Sequence, residues 1–340
     1  MSANAVSGVL EVVTVGHAIV DVLAFTDDST VEALRVTKGT MTLVDGVESV
    51  RIYAGLGPGT EVSGGSAANT AVGLAELGVG AGFIGKVRDD TLGQVFAHDI
   101  RASGVAFDVP PASAGPGTGR CLVMVTPDAE KTMCTHLGIG AELSPDDVDT
   151  GRVGAADVVY IEGYLCGVEA TAATVDRVIE AARAGGSRVA LSLSDPFWVQ
   201  IHGGALDALL DRVDVLFANA DEACGLVGTE DLDVAIKALA GRCETVTVTC
   251  GAEGARVAQG GAVMSVPAAP AARVVDTTGA GDMYAAGFLC GLVRGLSPED
   301  SARLGGIVAA EVVSHLGARP QVPLVDLVAA TGLSVPARRG

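Results

Sequence analysis

The sequence predicts an α/β protein built on a mainly parallel sheet, and three observations carry that reading. Of its 340 residues 49% are apolar against 19% charged, enough to bury a large core. Short apolar runs rich in β-branched residues recur along the chain. Stretches of helical period lie between several of them, the alternation that builds βαβ units with helices on both faces of a sheet.

Taken in order, residues 10–16 (LEVVTVG) read as a strand buried on both faces and central in the sheet. Further strands are expected at 81–84, 157–161, 188–193, 213–217 and 245–249, and helices at 67–77, 92–103, 170–184 and 231–240. Two stretches break the rhythm. Residues 22–62 carry short pieces separated by Gly39, Asp45-Gly46 and the glycine-rich run 55–59, which suits hairpins better than a crossover helix. After the loop 110–119, runs at 121–125 and 131–137 flank a turn, Thr126-Pro127-Asp128-Ala129-Glu130. The two insertions, about 22–62 and 111–137, are expected to form one small β lid over the carboxyl ends of the strands, where open α/β sheets bind ligands. Residues 1–340 would then be a single α/β domain with this lid.

Forty-one acidic residues against twenty-two basic ones give a formal charge of −19, which repels phosphate backbones and anionic lipid. Nucleic acid and membrane are not expected partners. An anionic ligand would need local devices instead: helix N-termini, backbone N–H hollows or a bridging cation. Seven scattered cysteines without a C-x-x-C pair, and no signal-peptide pattern, suit a reducing cytoplasm. The five histidines form no metal-ligand pattern, and no apolar run approaches the ~20 residues of a membrane span.

The most informative segment is Val275-Asp276-Thr277-Thr278-Gly279-Ala280-Gly281-Asp282, followed by a helical run over 283–294. Glycines at the mouth of a helix let backbone N–H groups converge on an anion, and the helix dipole reinforces them. Asp282 in the first turn is placed to accept a proton from an alcohol attacking phosphorus. At the other end of the chain, Asp21 follows a strand and can accept from two adjacent hydroxyls. No Walker A sequence and no G-x-G-x-x-G after the first strand is present, which sets aside P-loop and dinucleotide-binding architectures.

These segments together resemble the signatures of the PfkB/ribokinase family of sugar and nucleoside kinases over nearly the entire chain. The octet resembles its C-terminal signature, and Glu61-Val62-Ser63-Gly64-Gly65-Ser66-Ala67-Ala68-Asn69-Thr70-Ala71 its N-terminal one. Gly16 to Asp21 resembles the first-strand motif, Asn219-Ala220-Asp221-Glu222 the N-x-x-E element, and Thr249-Cys250-Gly251-Ala252-Glu253-Gly254 the T-x-G-x-x-G nucleotide loop. The resemblance implies a ribokinase-like three-layer α/β/α core with a β lid, and transfer of the γ-phosphoryl of ATP to a hydroxymethyl oxygen. It casts Asp282 as general base, with Gly279, Ala280 and Gly281 holding the developing charge. Asp21, Gly64, Gly65 and Asn69 would orient the acceptor. Asn219, Thr249, Gly251 and Gly254 would bind ATP, with Glu222 organising Mg2+ through water. A potassium site is implied at Asp276, Thr278, Val312, His315 and Gly317 through backbone carbonyls, the alternative being that Gly317 caps a helix.

The run Lys38 to Asp45 and the pattern Thr132 to Gly138 resemble bacterial adenosine-kinase-like members, so a purine nucleoside is the expected acceptor. A sugar kinase acting on ribose or fructose is the alternative, followed by a non-catalytic sensor. Lys131 stands where an arginine is common and Tyr284 where phenylalanine is usual. Phe25, Tyr53, Phe83 and His136 are the candidates to stack on a base. The exposed edge of the lid can pair with a second copy to form a homodimer or stay free.

Overall fold

The computed structural model describes residues 9–128 and 130–338, so Ala129 of the expected turn lies outside the described residues. The chain opens with β1 (Val12–Val15), β2 (Ile19–Phe25), α1 (Asp28–Ala33), β3 (Met41–Leu43), α2 (Gly46–Gly55) and β4 (Gly59–Gly64). It continues through α3 (Ser66–Glu76), β5 (Ala81–Ile84), α4 (Thr91–Ala102), β6 (Gly119–Val125) and β7 (Lys131–His136). Strands and helices then alternate: α5 (Thr150–Ala155), β8 (Val158–Ile161), α6 (Glu169–Gly185), β9 (Arg188–Ser192), α7 (Pro196–Leu209) and β10 (Val215–Asn219). After α8 (Ala220–Val227) and α9 (Leu232–Ala240) come β11 (Thr245–Thr249), β12 (Ala255–Gln259) and β13 (Ala262–Val266). Helices α10 (Ala280–Val293), α11 (Pro298–Val312) and α12 (Leu324–Ala330) close the chain.

Eight strands form the main sheet in the order β13-β12-β11-β10-β9-β8-β1-β5. Its six remaining strands run parallel, while β12 and β13 pair antiparallel at one edge. The first strand is buried along its whole length, as its composition predicts, but it is second from the edge rather than central. Pairing on both sides and helices on both faces suffice to bury it. The β12–β13 hairpin escaped the periodicity reading. Its signal was Gly260-Gly261, both at positive φ, the two-residue turn whose twist matches paired strands.

The second sheet has the order β3-β7-β6-β2-β4 and draws on both insertions. Within 22–62 the hairpin expectation is corrected, because α1 and α2 occupy much of the segment. Asp27 and Asp45 cap them, accepting hydrogen bonds from Thr30 N and Glu48 N, so Asp45-Gly46 starts a helix and not a turn. Alternation along the strands then sorts the sheet's two faces. Val22, Leu122, Met124 and Cys134 pack under Val31, Leu34 and Ile52 of the two helices. The opposite face gathers Ile19, Cys121, Val123 and Val125 with Leu23 and Met133. Asp21 pairs with Cys121, and Lys131 with Val125, so both charged groups stand on that second, apolar face.

No helix among the described residues is long and apolar enough to cross a membrane. The main core is clamped near β5 by three aromatic rings, Phe83, Phe96 and Phe107, with centroids 5.4 to 5.8 Å apart. All three are buried. Phe96→Ala should therefore lower the unfolding free energy by about 3–5 kcal/mol. Urea denaturation measures this, and a loss well below that range would show that the cluster closes over the hole.

Candidate active site

Asp282 lies in the first turn of α10, whose start is set by Gly279 in a left-handed conformation, φ 78°. A side chain there would meet Ala318, 2.5 Å from its Cβ, so glycine is required both for the turn and for the packing. First-turn N–H groups have no acceptor within their own helix. Those of Gly281 and Asp282 therefore line a hollow, and open space above Gly281 leaves room for a ligand oxygen. The Asp282 carboxylate is fixed from the start of α3: Oδ1 accepts from Ser66 Oγ at 2.6 Å and Oδ2 from Asn69 Nδ2 at 3.0 Å. Burial raises its pKa to about 6, against the lowering effect of these two hydrogen bonds, and it is still mainly ionised at neutral pH.

Asp21 stands on the second sheet with its carboxylate against Gly64, where no Cβ would fit. Gly65, at φ 95°, begins α3 with no room for a side chain beside the His17 carbonyl. The pair of glycines thus turns the chain from β4 into α3 while bringing Asp21 toward Asp282. Burial raises Asp21 to about 7, Arg319 and Lys131 pull it down, and Asp282 pushes it up. Asn69 also touches Asp282 rather than being free for an acceptor alone, but its Oδ1 is buried with no hydrogen-bond partner. That orphan atom can accept from a ligand hydroxyl.

Farther along the strand ends, Asn219 caps α8 and exchanges hydrogen bonds with Glu222. Glu222 Oε2 accepts from Asn219 N at 3.0 Å and Oε1 from Asn219 Nδ2 at 2.7 Å. Burial raises Glu222 to about 7, and Asp195 and Asp221 add to it. Both oxygens being taken, this donor set fits a magnesium ion only through water, in keeping with an ion that retains several waters. No cluster of three or more metal-binding side chains occurs among the described residues. Thr249 ends β11, and the turn after it has Gly251 at φ 57° with open space over it and Gly254 at φ 96° packed against Val266.

The loop before α10 is tied to the second sheet. Lys131 Nζ reaches from β7 to the Asp276 carboxylate and to Thr278 Oγ1, 3.3 Å away. Asp276 Oδ2 also accepts from Gly317 N at 2.8 Å, and Oδ1 from Thr278 N at 3.0 Å. Val275 N donates to Val313 O at 2.7 Å, which brings 275–278 and 312–317 side by side. Helix α11 ends at Val312, so Gly317 does not cap it. Val312 is buried, and the His315 ring is engaged by Glu311 Oε1 and Leu316 O.

Of the proposed stacking residues, Phe83 is excluded because it is buried in the aromatic core. Tyr53 lies on α2 against Arg120, and His136 faces the Val44 carbonyl, both on the side away from Asp21. Phe25 alone shares Asp21's face, and it is exposed at the far end of β2. Ser66 and Arg319 are functional candidates that the sequence reading did not assign. Ser66 was legible as the residue that opens a helix after Gly64-Gly65. Arg319 carries no local signal at all.

Comparison with known proteins finds likenesses that span most of the chain. An adenosine kinase from Sinorhizobium meliloti is 41% identical, with a TM-score of 0.89 over 95% of this chain and all of that one. A probable sugar kinase from Rhizobium etli is 39% identical, with a TM-score of 0.90 over 96% of this chain and 99% of that one. An adenosine kinase of Saccharomyces cerevisiae is 30% identical over 273 residues, 75% of this chain and 79% of the yeast protein. Residues 57–324 match the pfkB family of carbohydrate kinases. With the ribokinase-like sheet and a carboxylate at the mouth of α10 in place, the chain belongs to that family of kinases.

Proposed function

We propose that this kinase transfers the γ-phosphoryl group of ATP to the 5′-hydroxymethyl oxygen of a purine nucleoside. The observation that carries the reading is the Asp282 carboxylate, held by Ser66 and Asn69 at the rim of the N–H hollow. In that place Asp282 takes the proton of the attacking hydroxyl, and the Gly279–Ala280–Gly281 turn stabilises the transferring group. Asp21 accepts from the 2′- and 3′-hydroxyls, with Gly64, Gly65 and the free oxygen of Asn69 beside it. Thr249, Gly251 and Gly254 line the nucleotide, and Asn219 and Glu222 would hold magnesium through water. Magnesium, when bound, neutralises charge on the triphosphate. The second sheet serves as a lid that excludes water from the transfer.

Adenosine is preferred over a free sugar because the lid face around Asp21 is apolar: Leu23, Val123 and Met133 offer surface to a base that a pentose cannot use. The likeness to proteins named adenosine kinase supports the same choice. The likeness to a protein named a sugar kinase keeps ribose or fructose as the second reading. A panel of acceptors decides between them. Adenosine should exceed ribose and fructose in kcat/KM, and 2′-deoxyadenosine should fall well below adenosine because Asp21 loses a partner. A free sugar outperforming adenosine would replace the nucleoside reading and leave the base in place.

Potassium belongs to the proposal through the side-by-side segments 275–278 and 312–317, although Lys131 already neutralises Asp276. Turnover in potassium should exceed turnover in a bulky organic cation at equal ionic strength. Equal rates would remove the site.

For the base itself, Asp282→Asn should lower turnover by about 10²–10⁴-fold while ATP binding, followed by calorimetry, persists. The wild-type rate should fall as pH drops through about 6, because only the ionised carboxylate accepts the proton. Near wild-type turnover in the variant would overturn the assignment.

A further inference from the structure

Arg319 enters the site from the segment after α11, next to Ala318, which packs on Gly279. One edge of its guanidinium is spent: Nη2 donates to Ser63 O at 2.8 Å and to Ser63 Oγ at 3.1 Å, just before Gly64-Gly65. Its other donors are not. Nε and Nη1 are buried and have no hydrogen-bond partner in the structure. Asp21, Asp99 and Asp282 all act on this charge. Asp99 is engaged by Ser63 N, and Asp282 by Ser66 and Asn69. Asp21 makes no side-chain hydrogen bond among the described residues, and it forms no ion pair with Arg319 although each alters the other's ionisation.

Unpaired donors and an unpaired carboxylate, close yet not touching, are costly for a protein to maintain unless a ligand joins them. We propose that Arg319 binds the acceptor: Nη1–H donates to one oxygen of a vicinal diol whose hydroxyl protons go to Asp21. This rests on the reading of Asp21 as the diol-binding carboxylate. A hydroxyl both donates and accepts, so a donor on one side and a carboxylate on the other satisfy it completely. The planar guanidinium keeps Nη1–H aimed away from Ser63 while Nη2 stays bonded to it, a division of donors held by one rigid group that an ammonium cannot reproduce.

The same residue sets the ionisation of the two carboxylates. Arg319 lowers both Asp21 and Asp282. The other groups acting on or facing Asp282 are Ser66, Asn69, Glu162, Tyr160 and Tyr164, and those facing Asp21 are Lys131, Cys121 and Asp282 itself. Burial brings Arg319 down to about 10, so it is charged at neutral pH.

The test combines Arg319→Ala with acceptors lacking one hydroxyl. With adenosine, the KM of the acceptor should rise roughly tenfold to a hundredfold while the KM of ATP is nearly unchanged. With whichever of 2′- and 3′-deoxyadenosine lacks the bonded oxygen the same substitution should cost much less, and the acid limb of the rate profile should move to higher pH. Equal losses on adenosine and both deoxynucleosides, or a change confined to ATP, would overturn the proposal and leave Arg319 as a strap on Ser63. Should the alanine variant fail to fold, Arg319→Lys keeps the charge and loses the planar set of donors, and the same acceptor-dependent pattern is required of it. If adenosine is inert and ribose is the acceptor, the comparison runs with ribose and 2-deoxyribose. A failure of the nucleoside reading is thereby distinguished from a failure of Arg319.

Discussion

Everything in this site hangs on a single buried carboxylate, Glu162, at the carboxyl end of β8. Its Oε1 accepts from His17 N at 2.8 Å and from His17 Nδ1 at 2.6 Å, and its Oε2 from Ala67 N at 3.0 Å. It thereby joins the end of β8, the point where the chain leaves β1 for the second sheet, and the first turn of α3. Gly16 has no space for a side chain beside it. Removing that carboxylate would leave buried N–H groups without acceptors, each costing about 1–3 kcal/mol. The chemical consequence is indirect: α3 is held at the angle at which Ser66 and Asn69 reach Asp282.

A chain with a formal charge of −19 that handles a polyanion has to solve an electrostatic problem locally. It does so with few cations. Lys131 and Arg319 are both partly buried and both directed at carboxylates of the cleft, Asp276 in one case and the Asp21–Asp282 pair in the other. In the proposed reading the phosphate end would rely on peptide N–H groups at the mouth of α10, which need no counter-charge of their own. Lys131 also ties the second sheet to the loop that precedes α10.

Much of this was legible from residue types in order along the chain. Strands at 81–84 and 245–249 and the helices flanking them follow from period and composition, because a buried strand and an amphipathic helix each leave a local trace. The Gly-Ala-Gly-Asp turn announces a helix mouth, and Gly64-Gly65 a forced turn, for equally local reasons. The hairpin expectation for 22–62 failed where two short helices are made by aspartate caps and by packing onto β6 and β7, partners about a hundred residues away.

The sequence by itself determined the fold class, the family signatures and the chemical kinds of group at the strand ends. Only the tertiary structure decided which of those groups meet. Ser66 and Asn69 lie more than two hundred residues from Asp282, and Arg319 is 256 residues from Ser63. Periodicity reports burial and local conformation, whereas such contacts depend on strand order and on how α3, α10 and the segment after α11 converge at one end of the sheet. A lone arginine near the end of the chain has no period to betray it, and its role becomes visible only once two carboxylates from distant segments stand beside it.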